Sequence, residues 1–124
     1  MAVEGDAKDF ADRVGPFYSL DRVRQILGKT RPVSRQDISD QVGARRLLCV
    51  QTADGKHLFP AFQFDGDVVD PGLVKVMHAL LDAGADGWTV VYWLTTALPQ
   101  FDGQTPLALV RAGAADEVFE MART

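Results

Sequence analysis

The sequence predicts a mainly α-helical protein, with an N-terminal helix-turn-helix that carries a small β-hairpin wing and a C-terminal bundle of about four short helices. Two capped amphipathic segments come first, an Asp-Gly pair between two apolar runs follows them, and several short helical patterns fill the second half. The expected organisation is an arm or short helix over residues 1–16, a winged unit over 17–66 and a helical domain over 67–124.

The first two helices are defined by their caps. Ser19 is a suitable N-cap for a helix over residues 20–27, which Gly28 should close. Ser34 can cap a second helix over residues 35–42, with Asp37 at the capping-box position and Gly43 at the exit. Two short helices in this order predict a helix-turn-helix.

A β-hairpin is predicted directly after the two helices. Residues 47–52 and 56–64 are rich in leucine, aromatic and β-branched side chains, and Ala53-Asp54-Gly55 separates them as a turn. Pro60 should confine the second strand to a sheet edge or end it early. Helix, turn, helix and hairpin is the element order of a winged unit.

The remaining chain predicts four helices. Pro71 should begin a helix that runs to about Asp82. Residues 88–97 are apolar almost all round, so this helix should lie at the centre of the bundle, with Trp88 and Trp93 interpreted as core. Thr105 should cap a third helix that ends near Gly113, and residues 115–123 should form the last helix.

Composition limits the classes of protein. The chain has 124 residues, 47% of them hydrophobic and 24% charged, which fits one soluble domain or one domain with a small lobe. Neither a signal peptide nor a run of about 20 apolar residues is present, so we expect a cytoplasmic protein with no membrane contact. The single Cys49 excludes an internal disulfide, and no motif indicates a metal or a cofactor.

Charge is distributed unevenly, although the net charge is −4. Residues 22–46 contain seven arginines and lysines against two aspartates, a net +5, whereas residues 64–124 contain three basic and nine acidic residues, a net −6. This asymmetry favours contact of the first half with a polyanion. The alternative is that the charges lie on solvated helix faces.

The second predicted helix supplies the candidate DNA contacts. Its first turn should reach base edges, while arginines after its end should reach the phosphate backbone. The candidate DNA-binding residues are Arg31, Ser34, Arg35, Gln36, Ser39, Arg45 and Arg46. A single unit binds weakly, so a homodimer is expected on an operator.

An enzyme is disfavoured. His57 and His78 have no serine or carboxylate at a spacing that indicates a triad, and His78 is interpreted as structural and His57 as exposed. Cys49 falls in a predicted buried strand. The aspartates in residues 65–70 are better explained by turns than by a calcium loop.

The stretch from Trp93 to Gly113 resembles a known family. It reads Trp-Leu, then Pro99, then Phe-Asp-Gly-Gln-Thr-Pro-Leu-Ala-Leu, and then a glycine before a last short helix. This pattern resembles the toxin-binding domain of Xre/MbcA/ParS-type antitoxins, and residues 58–64 resemble an FPAFQF bridge found in one branch of them.

The resemblance implies the antitoxin of a type II toxin-antitoxin system. Its C-terminal helices would block the active site of a RES-domain, NAD-consuming toxin, and its DNA-binding unit would repress its own operon. The toxin-binding residues carried over are Leu98, Phe101, Leu109, Arg111, Phe119, Met121, Arg123 and Thr124. The alternative is a stand-alone winged-helix transcription regulator whose C-terminal lobe dimerises or senses a ligand.

Overall fold

A computed structural model describes residues 14–29 and 31–123. The fold is mainly α-helical with two small antiparallel sheets, which confirms the predicted class at that level. Most of the arm predicted over residues 1–16 lies outside the described residues.

Six helices are described. They are α1 (Leu20–Leu27), α2 (Arg35–Gly43), α3 (Pro71–Asp82), α4 (Gly87–Thr95), α5 (Pro106–Arg111) and α6 (Ala115–Arg123). The predicted N-caps Ser19, Ser34 and Thr105 are confirmed, because each side chain accepts a hydrogen bond from a first-turn amide.

The strands are β1 (Phe17–Tyr18), β2 (Val50–Gln51), β3 (His57–Pro60), β4 (Phe64–Asp65) and β5 (Val68–Val69). They form one sheet of order β1-β3-β2 and a separate β4-β5 hairpin. Short 3₁₀ turns occupy Ala61–Gln63 and Pro99–Phe101.

The predicted hairpin differs from the observed one in length and in neighbours. Both strands are much shorter than predicted, and β3 ends at Pro60, the second of the two outcomes expected for that proline. The strand is nevertheless central, because β1 pairs along its other side, with Phe17 opposite Pro60. Sequence periodicity missed β1 because two residues carry no alternation.

The three-stranded sheet separates two hydrophobic clusters. Successive side chains of a strand point to opposite faces, so Phe17 joins the larger cluster and Tyr18 the smaller one. Leu48 and Leu47 are divided in the same way. The two faces of one sheet therefore pack against the two halves of the molecule.

The larger cluster fills the space between the sheet and helices α3–α6. Its innermost residues, with no exposed surface, are Val76, Val90, Val91, Leu94 and Val118. The smaller cluster, beneath α1 and α2, consists of the buried residues Val23, Ile38, Leu47 and Phe59.

Helix α4 corrects one prediction. Its inner face is fully buried, but Trp88 is 38% and Tyr92 56% exposed, so the helix is not enclosed on all sides. The assignment of Trp88 to the core is wrong: its indole packs on Phe17 at 5.8 Å between ring centroids, and its Nε1 donates to the Gln51 carbonyl at 2.9 Å. A single sequence cannot distinguish a wholly apolar helix that is enclosed from one that covers a sheet edge.

The junction between the sheet and α4 requires a glycine. A Cβ atom at Gly87 would lie 2.6 Å from the Cys49 carbonyl oxygen and 3.2 Å from Val50 Cγ1. Any larger residue would move α4 away from the sheet, so Gly87 is needed for the close approach of the two elements. The sequence indicated only that a helix breaks near this glycine.

A buried glutamine connects the sheet to the chain that follows it. The Gln63 amide is 1% exposed; its Oε1 accepts from the Leu48 amide at 2.8 Å, and its Nε2 donates to the Leu48 carbonyl at 2.9 Å. This side chain thus continues the backbone hydrogen-bonding pattern past the end of the strands, which is why a glutamine is tolerated in the interior.

No helix in the described part of the chain is both long and apolar enough to cross a membrane.

Candidate nucleic-acid interface and partner surface

The connection between α1 and α2 is fixed by two contacts. Arg24 Nε donates to the Val33 carbonyl at 3.0 Å. Gly28 packs against this loop, since a Cβ there would lie 3.4 Å from the Arg31 carbonyl oxygen and 3.6 Å from the Val33 nitrogen. The connection covers residues 28–34 and is longer than the usual turn of about 3–4 residues in a helix-turn-helix. These contacts hold Arg31 and Val33 against the end of α1.

The N-terminus of α2 is closed by the predicted capping box. The Ser34 hydroxyl accepts from the Asp37 amide at 3.0 Å, and the Asp37 carboxylate accepts from the Ser34 amide at 2.9 Å. The backbone hydrogen bond from Ser34 is the main cause that lowers the pKa of Asp37, with the Ser34 hydroxyl second. The start of the helix is therefore well ordered at neutral pH.

The predicted DNA-binding side chains at this helix lie on the surface. Arg31, Ser34, Arg35, Gln36 and Ser39 are all exposed. Arg35 Nη2 lies 3.6 Å from an oxygen of Asp21 on α1, and Gln36 Nε2 donates to Asp40 at 2.8 Å. Both partners are themselves exposed, so these contacts can be exchanged for others at low cost.

Arg45 and Arg46 have different surroundings. Arg45 has a left-handed backbone (φ 60°) and pairs with Asp82 at the end of α3. The helix ends at Gly43, where the exit was expected, and the left-handed turn follows at Arg45, with the Arg46 amide donating to the Gln41 carbonyl at 2.9 Å. Arg45 is half-buried and Arg46 is exposed.

A groove of about 950 Å³ runs along the other side of α2, and we call it the α2 groove. Its polar lining carries both signs of charge, with Arg31 and Arg46 facing Asp37, Asp40 and Asp67. Three carboxylates make it unfavourable for a phosphate backbone, so the groove does not extend the candidate DNA surface.

The tip of the β2-β3 hairpin projects beyond the sheet. Residues 53–57 are exposed, and Thr52 closes the turn by donating to Asp54 and by accepting from the Lys56 amide at 3.1 Å. Lys56 and His57 thus form a second exposed polar position, and the expected exposure of His57 is confirmed. Lys56 was not among the predicted DNA contacts, although its position beside an Asp-Gly turn would have indicated it.

The segment proposed for toxin contact forms an ordered turn. Leu98 and Gln104 are linked by a backbone hydrogen bond of 3.2 Å, and Asp102 and Gly103 both have left-handed backbones. Phe101 and Leu109 are partly buried against the larger cluster. Gly113 has a left-handed backbone, as predicted. The C-terminus of α5 is capped by the Ala114 amide, which donates to the Leu109 carbonyl at 2.9 Å.

Arg111 is exposed, but its guanidinium has an internal contact. Its Nη2 donates to the Phe62 carbonyl at 2.8 Å and so fastens α5 to the 3₁₀ turn after β3. Arg111 is still exposed and could contact a partner, so toxin contact through this residue stays a prediction.

Phe119 lies between two cations on α6 and α3. Lys75 Nζ is 4.7 Å and Arg123 Cζ 5.5 Å from the ring centroid. Lys75 also bonds Asp116 at 2.5 Å, which lowers the pKa of that carboxyl, and Arg123 lies 3.3 Å from Glu120. Met121 is partly buried, while Thr124 lies outside the described residues.

The residues considered for catalysis are dispersed. His78 Nε2 lies 3.2 Å from the Ala44 carbonyl, which joins α3 to the end of α2. Cys49 is half-buried, and burial raises the pKa of its thiol, which disfavours the reactive thiolate. Within residues 14–29 and 31–123, no group of three or more histidine, cysteine or acidic side chains is arranged to hold a metal ion.

The fold and the surfaces define a mainly α-helical protein with two small antiparallel sheets, one basic and one acidic half. Its architecture is similar to the NMR structure of Rv2175c, with a TM-score of 0.71 and 26% sequence identity over 90% of each chain. A scan against protein-family models finds no match, and a search of curated proteins finds none.

Proposed function

We propose that this protein is a DNA-binding regulator in which α1 and α2 act as a helix-turn-helix and the β2-β3 hairpin acts as its wing. The observation that carries the proposal is the capped N-terminus of α2, where Arg31, Arg35 and Gln36 are exposed together. Helix N-termini favour phosphate, and arginine and glutamine are the side chains that read guanine and adenine edges in the major groove.

The charge pattern supports the same surface. The basic residues behind the net +5 of residues 22–46 lie on α1, in the α1-α2 connection, at the start of α2 and just after its end, whereas the C-terminal helices are acidic and would repel a duplex. The duplex would therefore contact one half of the molecule and leave the other half free for a second role.

The experiment replaces Arg31 and Arg35 together by alanine and measures binding to the duplex upstream of the protein's own gene. We expect at least tenfold weaker binding and a shallower dependence on salt, because about two phosphate or base contacts are lost. Arg123→Ala is the matched control, since Arg123 is also an exposed arginine but lies on α6. Equal binding by the double variant and the wild type would refute the proposed surface.

For the acidic half, we propose neutralisation of a RES-domain toxin, as in the antitoxins that residues 93–113 resemble. The ordered turn at residues 98–104 and the cation-flanked Phe119 favour this role, because they provide a stable surface with an aromatic anchor and a guanidinium. Neutralisation would be steric, because the bound surface would block the active site of the toxin. The homodimer expected on DNA would place two such surfaces in one assembly.

Neutralisation is tested by co-expression with a RES-type gene product from the same operon. Leu98→Asp combined with Arg123→Glu should restore toxicity while DNA binding is retained. Glu117→Lys serves as the control, because this exposed α6 residue lies outside the proposed contact set. If the wild-type chain fails to bind the adjacent gene product, the toxin role is refuted and the stand-alone regulator is favoured.

A further inference from the structure

A second pocket lies on the opposite side of α1 from the contacts with α2. Its volume is about 390 Å³, within the size range of small-molecule sites. It is formed by residues of β1, α1 and the chain around β4, and its lining consists of Tyr18, Arg22, Gln25, Ile26, Lys29, Ala61, Phe64 and Gly66. We call it the Arg22 pocket.

The Arg22 guanidinium is held in place by neutral groups. Its Cζ lies 5.7 Å from the centroid of the Tyr18 ring, and Tyr18 in turn packs on Phe64 at 5.9 Å. Arg22 Nη1 donates to Gln25 Oε1 at 3.3 Å. An arginine oriented by a ring and an amide keeps its full charge and most of its donors for a ligand.

The charge of the pocket is uniformly positive. Arg22 and Lys29 both line it, and none of its lining residues is a carboxylate. The acidic neighbour on α1, Asp21, lies instead within 3.8 Å of Arg24 and 3.6 Å of Arg35. The α2 groove, which is larger, contains three carboxylates, so the two concave surfaces of the same helix pair have opposite preferences for an anion.

We propose that the Arg22 pocket binds a phosphate group, with Arg22 as a bidentate donor, Lys29 as a point charge and the Gln25 amide beside them. Guanidinium geometry matches two phosphate oxygens, which distinguishes phosphate from a simple halide. The phosphate could belong to the duplex backbone or to a free phosphorylated small molecule. Only the first source rests on the proposed DNA-binding function.

Inorganic phosphate is the probe for the pocket itself. The full-length protein is titrated with phosphate at constant ionic strength while backbone amides are followed by NMR. We expect saturable shifts at Arg22, Lys29 and Gly66, and at least a tenfold loss of affinity in Arg22→Ala/Lys29→Ala. Lys75→Ala, which removes an exposed cation on α3 away from the pocket, is the control and should bind phosphate as the wild type does.

The proposal is overturned if the shifts do not saturate, or if the double variant retains its phosphate affinity. Both substituted residues are exposed, so the variant should keep the wild-type melting temperature, which is measured alongside. If the double variant melts at a lower temperature than the wild type, the test uses the separate variants Arg22→Gln and Lys29→Gln, which keep most of the side-chain stem. Wild-type affinity for phosphate in both variants overturns the proposal.

Two further titrations distinguish the sources. Weaker duplex binding in the double variant, with a salt slope reduced by about 1–2, assigns the pocket to a backbone phosphate. Adenosine monophosphate binding at least tenfold tighter than inorganic phosphate, with duplex binding unchanged, assigns it to a free nucleotide-like ligand. If the wild-type protein binds phosphate but binds no duplex, the pocket is supported and the DNA-binding function is refuted. The failure of the pocket proposal and the failure of the DNA-binding proposal can therefore be distinguished.

Discussion

The two halves of this molecule share one sheet but differ in how they are stabilised. The C-terminal helices enclose a cluster that contains Leu94 and Val91 with no exposed surface, whereas the cluster beneath α1 and α2 is smaller, with four buried residues. The smaller half is also held by the capping box of α2, by Arg24 and by its contact with the sheet. The proposed DNA-binding helices are held by the same sheet that supports the acidic bundle, so a substitution that destabilises the bundle should also destabilise these helices.

The largest expected effect comes from the larger cluster. Leu94→Ala should lower the free energy of unfolding by about 3–5 kcal/mol, because the cavity left by the missing side chain would be enclosed by other buried residues. Ile38→Ala, in the smaller cluster, should cost about 2–3 kcal/mol, since its partly exposed neighbours can move inward. Denaturant unfolding of both variants measures the difference, and an equal or reversed order would contradict the asymmetry.

The next effect concerns the link between the halves. Gln63→Leu should cost roughly 2–3 kcal/mol, because the Leu48 amide and carbonyl lose their buried partners. Hydrogen exchange at the Leu48 amide should accelerate more than exchange within α6. Gln51→Leu is the control, since the side chain of this exposed glutamine makes a long contact of 3.4 Å with the Gly55 carbonyl and its backbone contacts are kept in the variant. Unchanged exchange at Leu48 would show that Gln63 does not join the sheet to the following chain.

A smaller effect is expected at the cap of α2. Ser34→Ala should cost about 1 kcal/mol, because the Asp37 amide loses the Ser34 hydroxyl as its acceptor. Ser39→Ala on the same helix caps nothing and should be near neutral. Chemical denaturation compares the two, and matching losses would mean that the capping box contributes little.

The same cap gives a pH dependence. The pKa of Asp37 is lowered by the hydrogen bonds from Ser34, so the folded state favours the charged carboxylate. The stabilisation is present above the ordinary aspartate pKa and is lost as the pH falls through the lowered pKa of the folded state. Between about pH 5 and pH 2 the stability gap between wild type and Ser34→Ala should therefore narrow. Since alanine keeps the backbone N–H that lowers the Asp37 pKa most, a constant gap would mean that the Ser34 hydroxyl does not contribute to that lowering.

The smallest effect is expected at the ion pair between the halves. Arg45→Ala should cost about 0.5 kcal/mol, because Arg45 and Asp82 are both substantially exposed. Arg45→Gly should cost less than Arg45→Ala, since the left-handed backbone at this position suits glycine. A double-mutant cycle with Asp82→Ala measures the pair, and a coupling well above 1 kcal/mol would make this contact the main link between the halves.

Local signals predicted much of the fold. Ser19, Ser34 and Thr105 gave the helix starts correctly, because a cap is a hydrogen bond between residues two or three apart. The turn at Asp54-Gly55 was also predicted from adjacent residues. The predicted strands of the hairpin were too long. Strand β1 was missed, because its pairing with β3 joins residues about forty positions apart, such as Phe17 and Pro60.

The candidate site was predicted less completely. The exposure of Arg35 and Gln36 followed from helical periodicity, whereas the pairing of Arg45 with Asp82 and of Arg111 with Phe62 did not. The Arg22 pocket was not anticipated, because its lining combines β1, α1 and β4. The DNA and toxin contacts themselves stay predictions.

The sequence by itself determined where most helices begin, which half is basic and which residues can form caps, since these depend on neighbours along the chain. Only the tertiary structure decided that one sheet separates two cores, that Trp88 covers a sheet edge, and that two concave surfaces near α1 differ in charge. Those features arise when distant segments pack together, and the burial and pairing that result are properties of the folded arrangement.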